Sequence, residues 1–232
     1  MTHTPAPTDV LLFDMDGTLI DSMPLHELAW ADWHARHGLP FEGQAFFEAT
    51  AGRSNTEVMG ELLPRLDATA IAAEAKVKEG LYRERALTQL QAIKGALDYL
   101  RRARAAGHRM AVCTASMPDN IALATQRFGL DELVETIVCP ADARHGGAAG
   151  ELLRGKPHPD IFLEAARRLG ADPAQCLVFE DAPLGVEAAR RAGMRAVALT
   201  TTLPASAFET YDNVSHVMAD FCGYAPLTPP AP

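Results

Sequence analysis

The sequence has few cysteines, no long apolar run and no excess of positive charge. Four of the 232 residues are cysteine and none of them forms a Cys-x-x-Cys pair, which argues against a disulfide framework and a cysteine-based zinc site. No run approaches the roughly 20 apolar residues that a membrane helix requires, and no basic segment precedes a long apolar stretch near the N-terminus. We therefore expect a soluble cytoplasmic protein, without a membrane partner, whose cysteines are free, buried thiols.

The charge balance limits the kind of partner that the chain can bind. Lysine and arginine number 21 against 30 aspartates and glutamates, and the formal net charge is −9. Binding along a nucleic-acid backbone needs a basic face, so nucleic acid is not expected as a principal partner. An anionic substrate would have to be attracted by local charge. Because 48% of the residues are apolar, the chain can form a sizeable core, and no apolar seam requires a second subunit, so we expect a monomer.

Short apolar runs alternate with helical segments over most of the chain. The alternation predicts an α/β fold with a doubly wound parallel sheet. The runs are rich in Val, Leu and Ala, as expected for strands that are covered on both faces. Ligands of such sheets bind at the carboxyl ends of the strands. The strand candidates are residues 9–13, 109–113, 134–139, 176–179 and 195–199, and the helix candidates are residues 92–106, 119–128, 159–169 and 183–191.

One long stretch interrupts this alternation. Residues 20–87 contain successive helical patterns and no strand candidate, so we expect a helical cap domain inserted after the first strand. The core domain would then comprise residues 1–19 and 88–232. A turn at Gly52 should precede a cap helix whose N-cap is Ser54 or the residue after it. The glycine-rich segment before the third motif described below has no functional interpretation.

The most informative motif is Asp-Met-Asp-Gly-Thr at residues 14–18, directly after an apolar run. Asp is depleted in strands and Gly marks a turn, so the strand should end here and both acids should face a cleft. Two adjacent carboxylates repel each other unless a cation lies between them. The pattern suits a magnesium site next to a phosphate, where one acid attacks and its neighbour transfers a proton. The alternative is an ordinary polar turn.

Three further segments support the catalytic interpretation. Thr-Ala-Ser at residues 114–116 follows an apolar strand, and its hydroxyls and the free N–H groups of the next helix could hold a phosphate. Lys156 lies in Gly-Lys-Pro-His-Pro-Asp at residues 155–160, where it supplies either a compact positive charge to the site or an ordinary solvated cation. Glu-Asp at residues 180–181 is a second acid pair after a strand, as a hard cation requires.

Taken in order, these four segments resemble the four motifs of the haloacid dehalogenase-like hydrolase superfamily. Each motif alone has limited specificity, but together, each in its expected structural context, they are specific, and the similarity extends over residues 8–222. The intervening segments 21–26 and 185–189 are similar to the branch that contains beta-phosphoglucomutase, sugar phosphatases and phosphoglycolate phosphatase. The resemblance implies a Rossmann-like core with an inserted cap.

The resemblance also implies roles for the four acids of the motifs. Asp14 would be the nucleophile that becomes an aspartyl phosphate, and Asp16 would be the general acid and base. Mg²⁺ would be bound by the Asp14 carboxylate, the Asp16 main-chain oxygen and Asp181, with Glu180 bound directly or through water. The ion would offset the repulsion between an anionic substrate and an anionic nucleophile.

Phosphate binding and substrate recognition follow from the same resemblance. The phosphate site would comprise Thr114, Ala115 and Lys156, which hold the charge on the transferring phosphoryl oxygens. The candidates for recognition of the rest of the substrate are the cap residues His26, Arg53 and Lys78, together with Asn120 of the core. Each of these has an alternative: a structural histidine, a solvated arginine, a surface lysine and a helix-capping asparagine.

We expect a Mg²⁺-dependent hydrolase of a small phosphorylated metabolite, with a sugar phosphate as the substrate. Asp16 argues against dehalogenation, which needs no leaving-group acid, and the absence of a lysine around Arg53 argues against phosphonate cleavage. A beta-phosphoglucomutase-like mutase is an alternative, although the mutase pattern has its cap arginine where this chain has Asn55. A non-catalytic module that binds a phosphometabolite is the second alternative, and the presence of both Asp14 and Asp16 argues against it.

Overall fold

A computed structural model describes residues 10–50, 53–142, 145 and 151–225 of the chain. Residues 1–9 of the predicted core domain, the predicted turn at Gly52 and part of the glycine-rich segment 141–154 lie outside the described residues.

The chain divides into two compact units. One unit contains the residues up to Ile20 and from Ala92 onward, and the other is Asp21–Gln91. The inserted segment expected from the sequence, 20–87, has a similar start but ends inside a helix that continues to Gln89.

The first unit is built on six parallel strands, and the predicted α/β class is confirmed. Their spatial order is β3-β2-β1-β4-β5-β6, so that β1 lies between β2 and β4. Every residue of β1 is buried, which agrees with its uninterrupted apolar sequence. The strands are β1 (Val10–Phe13), β2 (Arg109–Cys113), β3 (Thr136–Val138), β4 (Cys176–Glu180), β5 (Arg195–Leu199) and β6 (Val214–Met218).

Helices follow the strands of the first unit and form the second unit. The predicted core helices agree with α5, α6, α8 and α9 to within a few residues, and the largest difference is at the start of α5. The helices are α1 (Met23–His37), α2 (Gly43–Thr50), α3 (Asn55–Leu62), α4 (Ala68–Gln89), α5 (Ala96–Ala105), α6 (Pro118–Phe128), α7 (Leu130–Leu133), α8 (Asp160–Arg168) and α9 (Pro183–Arg191).

Both faces of the sheet are covered by apolar side chains. On one face, Leu12 and Val178 belong to a cluster with the buried residues of α8 and α9. On the other face, Phe13 stacks on Phe179 with ring centroids 4.7 Å apart and meets the Tyr99 ring edge-on at 6.1 Å. Burial on both faces explains why the central strands show no polar alternation.

The strand β6 is absent from the strands expected from the sequence. It pairs with β5 at the edge of the sheet, and its residues Ser215, His216 and Val217 are exposed. Because an edge strand buries less of its surface than a central one, β6 does not need an apolar run, and its mixed sequence gives no strand signal.

Among the described residues of the second unit, all regular elements are helices. Helix α4 packs against α1 and α3, and the Trp33 indole N–H donates to Glu74 Oε2 at 2.9 Å to join α1 to α4. Ser54 is the N-cap of α3, as expected: the Glu57 N–H donates to Ser54 Oγ at 3.3 Å, and the Ser54 N–H donates to Glu57 Oε2 at 2.9 Å. This reciprocal pair is a capping box.

The four cysteines are free, but they are not all buried as expected. Cys113 and Cys176 are buried in strands, Cys139 is half-buried and Cys222 is exposed. The expectation is therefore wrong for Cys222, which lies after the last strand and outside the sheet. In the part of the chain that the structure describes, every helix is too short or too polar to cross a membrane.

We predict that Ser54→Ala lowers the free energy of unfolding by about 1 kcal/mol, because the cap bond to α3 is lost. Urea unfolding followed by circular dichroism measures the change. Thr69→Ala is the matched control, since Thr69 is exposed within α4 and alanine is the better helix former. An equal loss of stability in both variants would contradict the assignment of the cap.

Candidate active site

The register of the sheet brings three of the sequence motifs to one edge. Phe13 at the end of β1 pairs with Val112 of β2 and with Phe179 of β4. Asp14 therefore follows β1 beside Glu180, and its N–H donates to the Phe179 carbonyl at 2.9 Å. Carboxyl ends of parallel strands are the usual position for a ligand site.

Lys156 brings the remaining motif to this edge. Its Nζ donates a short hydrogen bond to Asp14 Oδ1, and it lies 2.5 Å from Glu180 Oε1 and 3.2 Å from the Cys113 carbonyl oxygen. The Lys156 side chain is only 7% exposed, so the alternative of a solvated cation is wrong. Burial by itself would lower the pKa of Lys156, but Asp14 and Glu180 raise it on balance, and the ammonium stays charged.

Asp14, Glu180 and Asp181 form what we call the acid cluster. Each of the three buried side chains offers a carboxylate oxygen, and these oxygens lie within 4.8 Å of one another. Burial, together with the neighbouring acids, raises the pKa of Asp14 well above its usual range although Lys156 acts in the opposite direction. Burial and the charge of Glu180 raise the pKa of Asp181 to about 7.

The chemistry of the acid cluster fits a hard divalent cation. With Asp16, which adds to the negative potential at Asp14, four carboxylates of the described residues lie near the ammonium of Lys156. Ionising all four would leave an excess of buried negative charge, which is costly unless a cation compensates it. Carboxylate oxygens are the ligands that Mg²⁺ and Ca²⁺ prefer. The cluster can therefore bind a metal ion.

Two hydroxyls hold the Asp181 carboxylate in place. Thr18 Oγ1 donates to Asp181 Oδ1 at 3.1 Å, and Thr202 Oγ1 donates a short hydrogen bond to Asp181 Oδ2. Neither threonine was among the predicted site residues. Thr202 follows β5, so the rule that ligands lie at strand ends could have indicated it, whereas the role of Thr18 depends on the fold of the turn.

The turn after β1 lies close against the acid cluster. Gly17 has a φ of +80°, and a Cβ at this position would lie 2.1 Å from Asp181 Oδ2. Glycine is thus required both by the backbone conformation and by the space. Asp16, the preceding residue, is half-buried and accepts a short hydrogen bond from the hydroxyl of Ser116.

The segment after β2 lies at the same edge of the sheet. Thr114 is buried and its Oγ1 accepts the Ser116 N–H at 3.0 Å, whereas Ala115 is exposed. Asn120 is buried in the first turn of α6. The structure thus brings the predicted core residues Asp14, Asp16, Thr114, Lys156, Glu180 and Asp181 to the strand ends.

Within the second unit, two of the predicted cap residues belong to one polar cluster. Lys78 Nζ lies 2.8 Å from His26 Nδ1 and 2.9 Å from Glu79 Oε1, and Asn55 Nδ2 donates to the same Glu79 oxygen at 2.6 Å. The ring of His26 stacks on Tyr82 with centroids 3.9 Å apart. Since the Lys78 side chain is 2% exposed, the alternative of a surface lysine is wrong.

The third predicted cap residue, Arg53, is paired with an acid of its own unit. Its guanidinium donates to both carboxylate oxygens of Glu61, at 2.6 and 3.1 Å. The hydrogen bonds and charge of Glu61 raise the pKa of Arg53. Contact of Arg53 with a substrate stays a prediction.

Comparison with known proteins identifies a family. The model of the haloacid dehalogenase-like hydrolases matches residues 8–193. Validoxylamine A 7'-phosphate phosphatase of Streptomyces hygroscopicus subsp. limoneus is 32% identical over 206 residues, which cover 88% of this chain and 91% of that protein. Hexitol phosphatase A of Escherichia coli (strain K12) is 34% identical over 217 residues, with coverages of 88% and 89%.

A solved structure is similar as well. The HAD hydrolase of family IA, variant 3, from Entamoeba histolytica matches with a TM-score of 0.80 and 25% identity, over 92% of this chain and 94% of its own. Because the match covers 92% of the chain, it extends over parts of both units.

We predict that a divalent cation changes the effect of Asp181 on stability. In EDTA, Asp181→Asn should be more stable than the wild type at pH 7, and the difference should vanish towards pH 4. The reason is that the pKa of Asp181 is raised to about 7 in the folded state, so that ionisation in the range between its unfolded and folded pKa opposes folding.

Mg²⁺ should reverse this order. At 100 times its Kd the ion should stabilise the wild type by about 2.7 kcal/mol and the Asp181→Asn variant much less, as measured by thermal unfolding. Asp98→Asn is the control because Asp98 is exposed in α5. An identical Mg²⁺ response of Asp181→Asn and wild type would contradict a metal site at the acid cluster.

We also predict opposite effects of alanine at two helical glycines. A Cβ at Gly185 in α9 would lie 1.9 Å from Glu180 Oε1, whereas a Cβ at Gly60 in α3 would meet nothing within 4 Å. Gly185→Ala should destabilise the protein by about 1–3 kcal/mol through overpacking, and Gly60→Ala should stabilise it by about 0.5–1 kcal/mol. Urea unfolding measures both, and stabilisation by Gly185→Ala would contradict the close contact with Glu180.

Proposed function

Because the chain belongs to the haloacid dehalogenase-like hydrolase family, we propose that it hydrolyses the phosphomonoester of a small metabolite, specifically a sugar or sugar-alcohol phosphate. The observation that supports this most directly is the contact of Lys156 with both Asp14 and Glu180 at the strand ends. A buried nucleophile candidate, a buried cation and an acid cluster are the parts that phosphoryl transfer requires.

In the first step, an oxygen of the Asp14 carboxylate attacks phosphorus and the bond from phosphorus to the substrate oxygen breaks. Asp16 gives its proton to the departing oxygen, so that the sugar leaves as an alcohol and an aspartyl phosphate remains. Lys156 and the Thr114 hydroxyl hold the charge of the phosphoryl oxygens during the transfer.

In the second step, water attacks the phosphorus of the aspartyl phosphate while Asp16 accepts its proton. The bond between Asp14 and phosphorus breaks, inorganic phosphate is released, and both side chains return to their starting states. The acid cluster, with the main-chain oxygen of Asp16, would hold Mg²⁺. When bound, the ion supplies the positive charge that offsets the repulsion between a phosphate dianion and Asp14.

Hydrolysis is favoured over the alternatives. Two relatives at 32% and 34% identity are named as phosphatases, one for validoxylamine A 7'-phosphate and one for hexitols. In the cap, Asn55 donates to Glu79 where the mutase pattern has an arginine, so a basic site for a second phosphate has no support at this position. A binding module would not require both Asp14 and Asp16.

We also propose that His26, Arg53 and Lys78 of the helical unit and Asn120 of the core recognise the sugar. Because Lys78 and Arg53 each pair with a glutamate, their charges are largely compensated, which favours an uncharged, hydroxyl-rich substrate body over a second phosphate. We also keep a monomeric state and a cytoplasmic location as predictions.

We predict that Asp14→Asn lowers kcat by a factor on the order of 10⁴ or more, because the nucleophile is lost. Release of inorganic phosphate is measured in Mg²⁺ with p-nitrophenyl phosphate and with a panel of hexose and hexitol phosphates. Asp98→Asn, at an exposed position, should retain wild-type activity. Equal activity of Asp14→Asn and wild type would remove the proposed nucleophile, and a wild type inactive on every ester would favour the binding module.

A second assay separates hydrolysis from mutase chemistry. Glucose 1-phosphate is supplied with a hexose bisphosphate activator, and formation of glucose 6-phosphate is compared with release of inorganic phosphate. We expect the phosphate to appear faster. Faster formation of glucose 6-phosphate would favour the mutase.

A further inference from the structure

We infer that Ser116 is a positioning residue whose hydroxyl holds the Asp16 carboxylate at the place from which it transfers protons. The inference rests on the proposed function, because it takes Asp16 as the general acid and base. The sequence pattern instead favoured a phosphate-binding role for this hydroxyl.

The contact joins two loops that are distant in the sequence. Ser116 follows β2 and Asp16 follows β1, and the Ser116 Oγ–H donates a short hydrogen bond to Asp16 Oδ2. The hydroxyl can donate in both states of Asp16, because an ionised carboxylate can only accept and the protonated acid still has one oxygen that accepts. Hydrogen bonds to an ionised group are stronger than those between neutral groups, so this bond can select one side-chain orientation of Asp16.

The backbone around Ser116 is anchored to the sheet. The Ser116 N–H donates to Thr114 Oγ1 at 3.0 Å, and the Thr114 N–H donates to the Val138 carbonyl at 3.0 Å. Thr114 follows β2 and Val138 ends β3. The Ser116 hydroxyl is therefore presented to Asp16 from a turn that is attached to two neighbouring strands.

A hydrogen bond matters more for the orientation of the Asp16 side chain than for the side chains of the acid cluster. Its backbone is held by a bridge to Ile20, and the adjacent Gly17 N–H donates to the Ile20 carbonyl at 2.8 Å. Its side chain is half-buried, whereas the three side chains of the acid cluster are buried. A less buried side chain keeps more rotational freedom, and proton transfer requires a heavy-atom distance of about 2.6–3.2 Å.

The two hydroxyls of the Thr-Ala-Ser segment have different tasks in this arrangement. Serine has one O–H hydrogen, so the Ser116 hydroxyl that donates to Asp16 cannot donate to a phosphate at the same time. Thr114 Oγ1 accepts the Ser116 N–H, which leaves its own O–H hydrogen for a phosphoryl oxygen. Thr114 thus serves phosphate binding, and Ser116 serves the orientation of Asp16.

The test compares two leaving groups. A hexose or hexitol 6-phosphate releases a primary alkoxide, which needs the proton of Asp16 as its bond to phosphorus breaks. p-Nitrophenyl phosphate releases a stable phenolate that leaves without a proton. Ser116→Ala is assayed with p-nitrophenyl phosphate and with the 6-phosphate that the wild type hydrolyses fastest, and kcat/KM is used because it includes the departure of the leaving group.

Two further variants are the controls. Ser116→Thr keeps the hydroxyl and should restore most of the activity. Ser215→Ala removes a hydroxyl that donates to the Ala196 carbonyl at 3.0 Å from the edge strand β6, and it should behave as wild type.

We expect Ser116→Ala to lower kcat/KM for the 6-phosphate by about tenfold or more and that for p-nitrophenyl phosphate by less than about threefold, because general acid–base catalysis typically contributes 10²–10⁴-fold. Equal losses on both substrates, which a phosphate-binding or purely structural hydroxyl would produce, would overturn the inference. So would unchanged values for both substrates, or a Ser116→Thr variant as impaired as Ser116→Ala.

The outcome can be assigned even if one variant fails. If thermal unfolding shows that Ser116→Ala is not folded, Ser116→Cys is assayed in its place. A thiol is only a weak hydrogen-bond donor, so we expect the same difference between the kcat/KM losses on the two substrates. A wild type without activity on any phosphomonoester would overturn the proposed function itself. An active wild type whose substrate ratio is unaffected by the substitution would overturn only the role of Ser116.

Discussion

The ion pairs of Lys156 with Asp14 and Glu180 are the interaction on which the site depends. They hold three chain segments together at the strand ends and keep one positive charge among four carboxylates. Burial, together with the remaining negative charge, raises the pKa of Asp14 and Asp181, and a divalent cation is the natural complement of that charge. The same charge balance that opposes folding without metal therefore suits the site to a divalent cation.

The fold supplies this arrangement through strand register and through small residues. β1, β2 and β4 are neighbours, so acids that are far apart in the sequence leave the sheet side by side. Gly17 and Gly185 then allow the turn and the helix α9 to approach Asp181 and Glu180 more closely than a side chain would permit. Hydroxyl groups complete the arrangement by fixing carboxylate orientations, as Thr18 does for Asp181.

The helical unit combines buried charges with their partners. Lys78, which is almost fully buried, contacts Glu79 and His26 and lies 5.1 Å from the centroid of the Trp30 ring. A lysine in such a place is stable only because its charge is compensated. Helical periodicity alone is compatible with a solvated Lys78. Its burial cannot be read from that periodicity, because it depends on the packing of α4 against α1.

The parallel sheet and the acids at its strand ends could be predicted from the sequence, because uninterrupted apolar runs followed by Asp or Glu have few other physical solutions, and the resemblance of the four motifs indicated the family. Which side chains contact each other depends on how distant segments pack. The edge strand β6, the burial of Lys78 and the contacts of Ser116 and Thr202 with Asp16 and Asp181 all arise between segments far apart in the chain. Whether such a hydrogen bond forms depends on differences of a few tenths of an ångström in the distance between donor and acceptor, which no local pattern of residue types encodes.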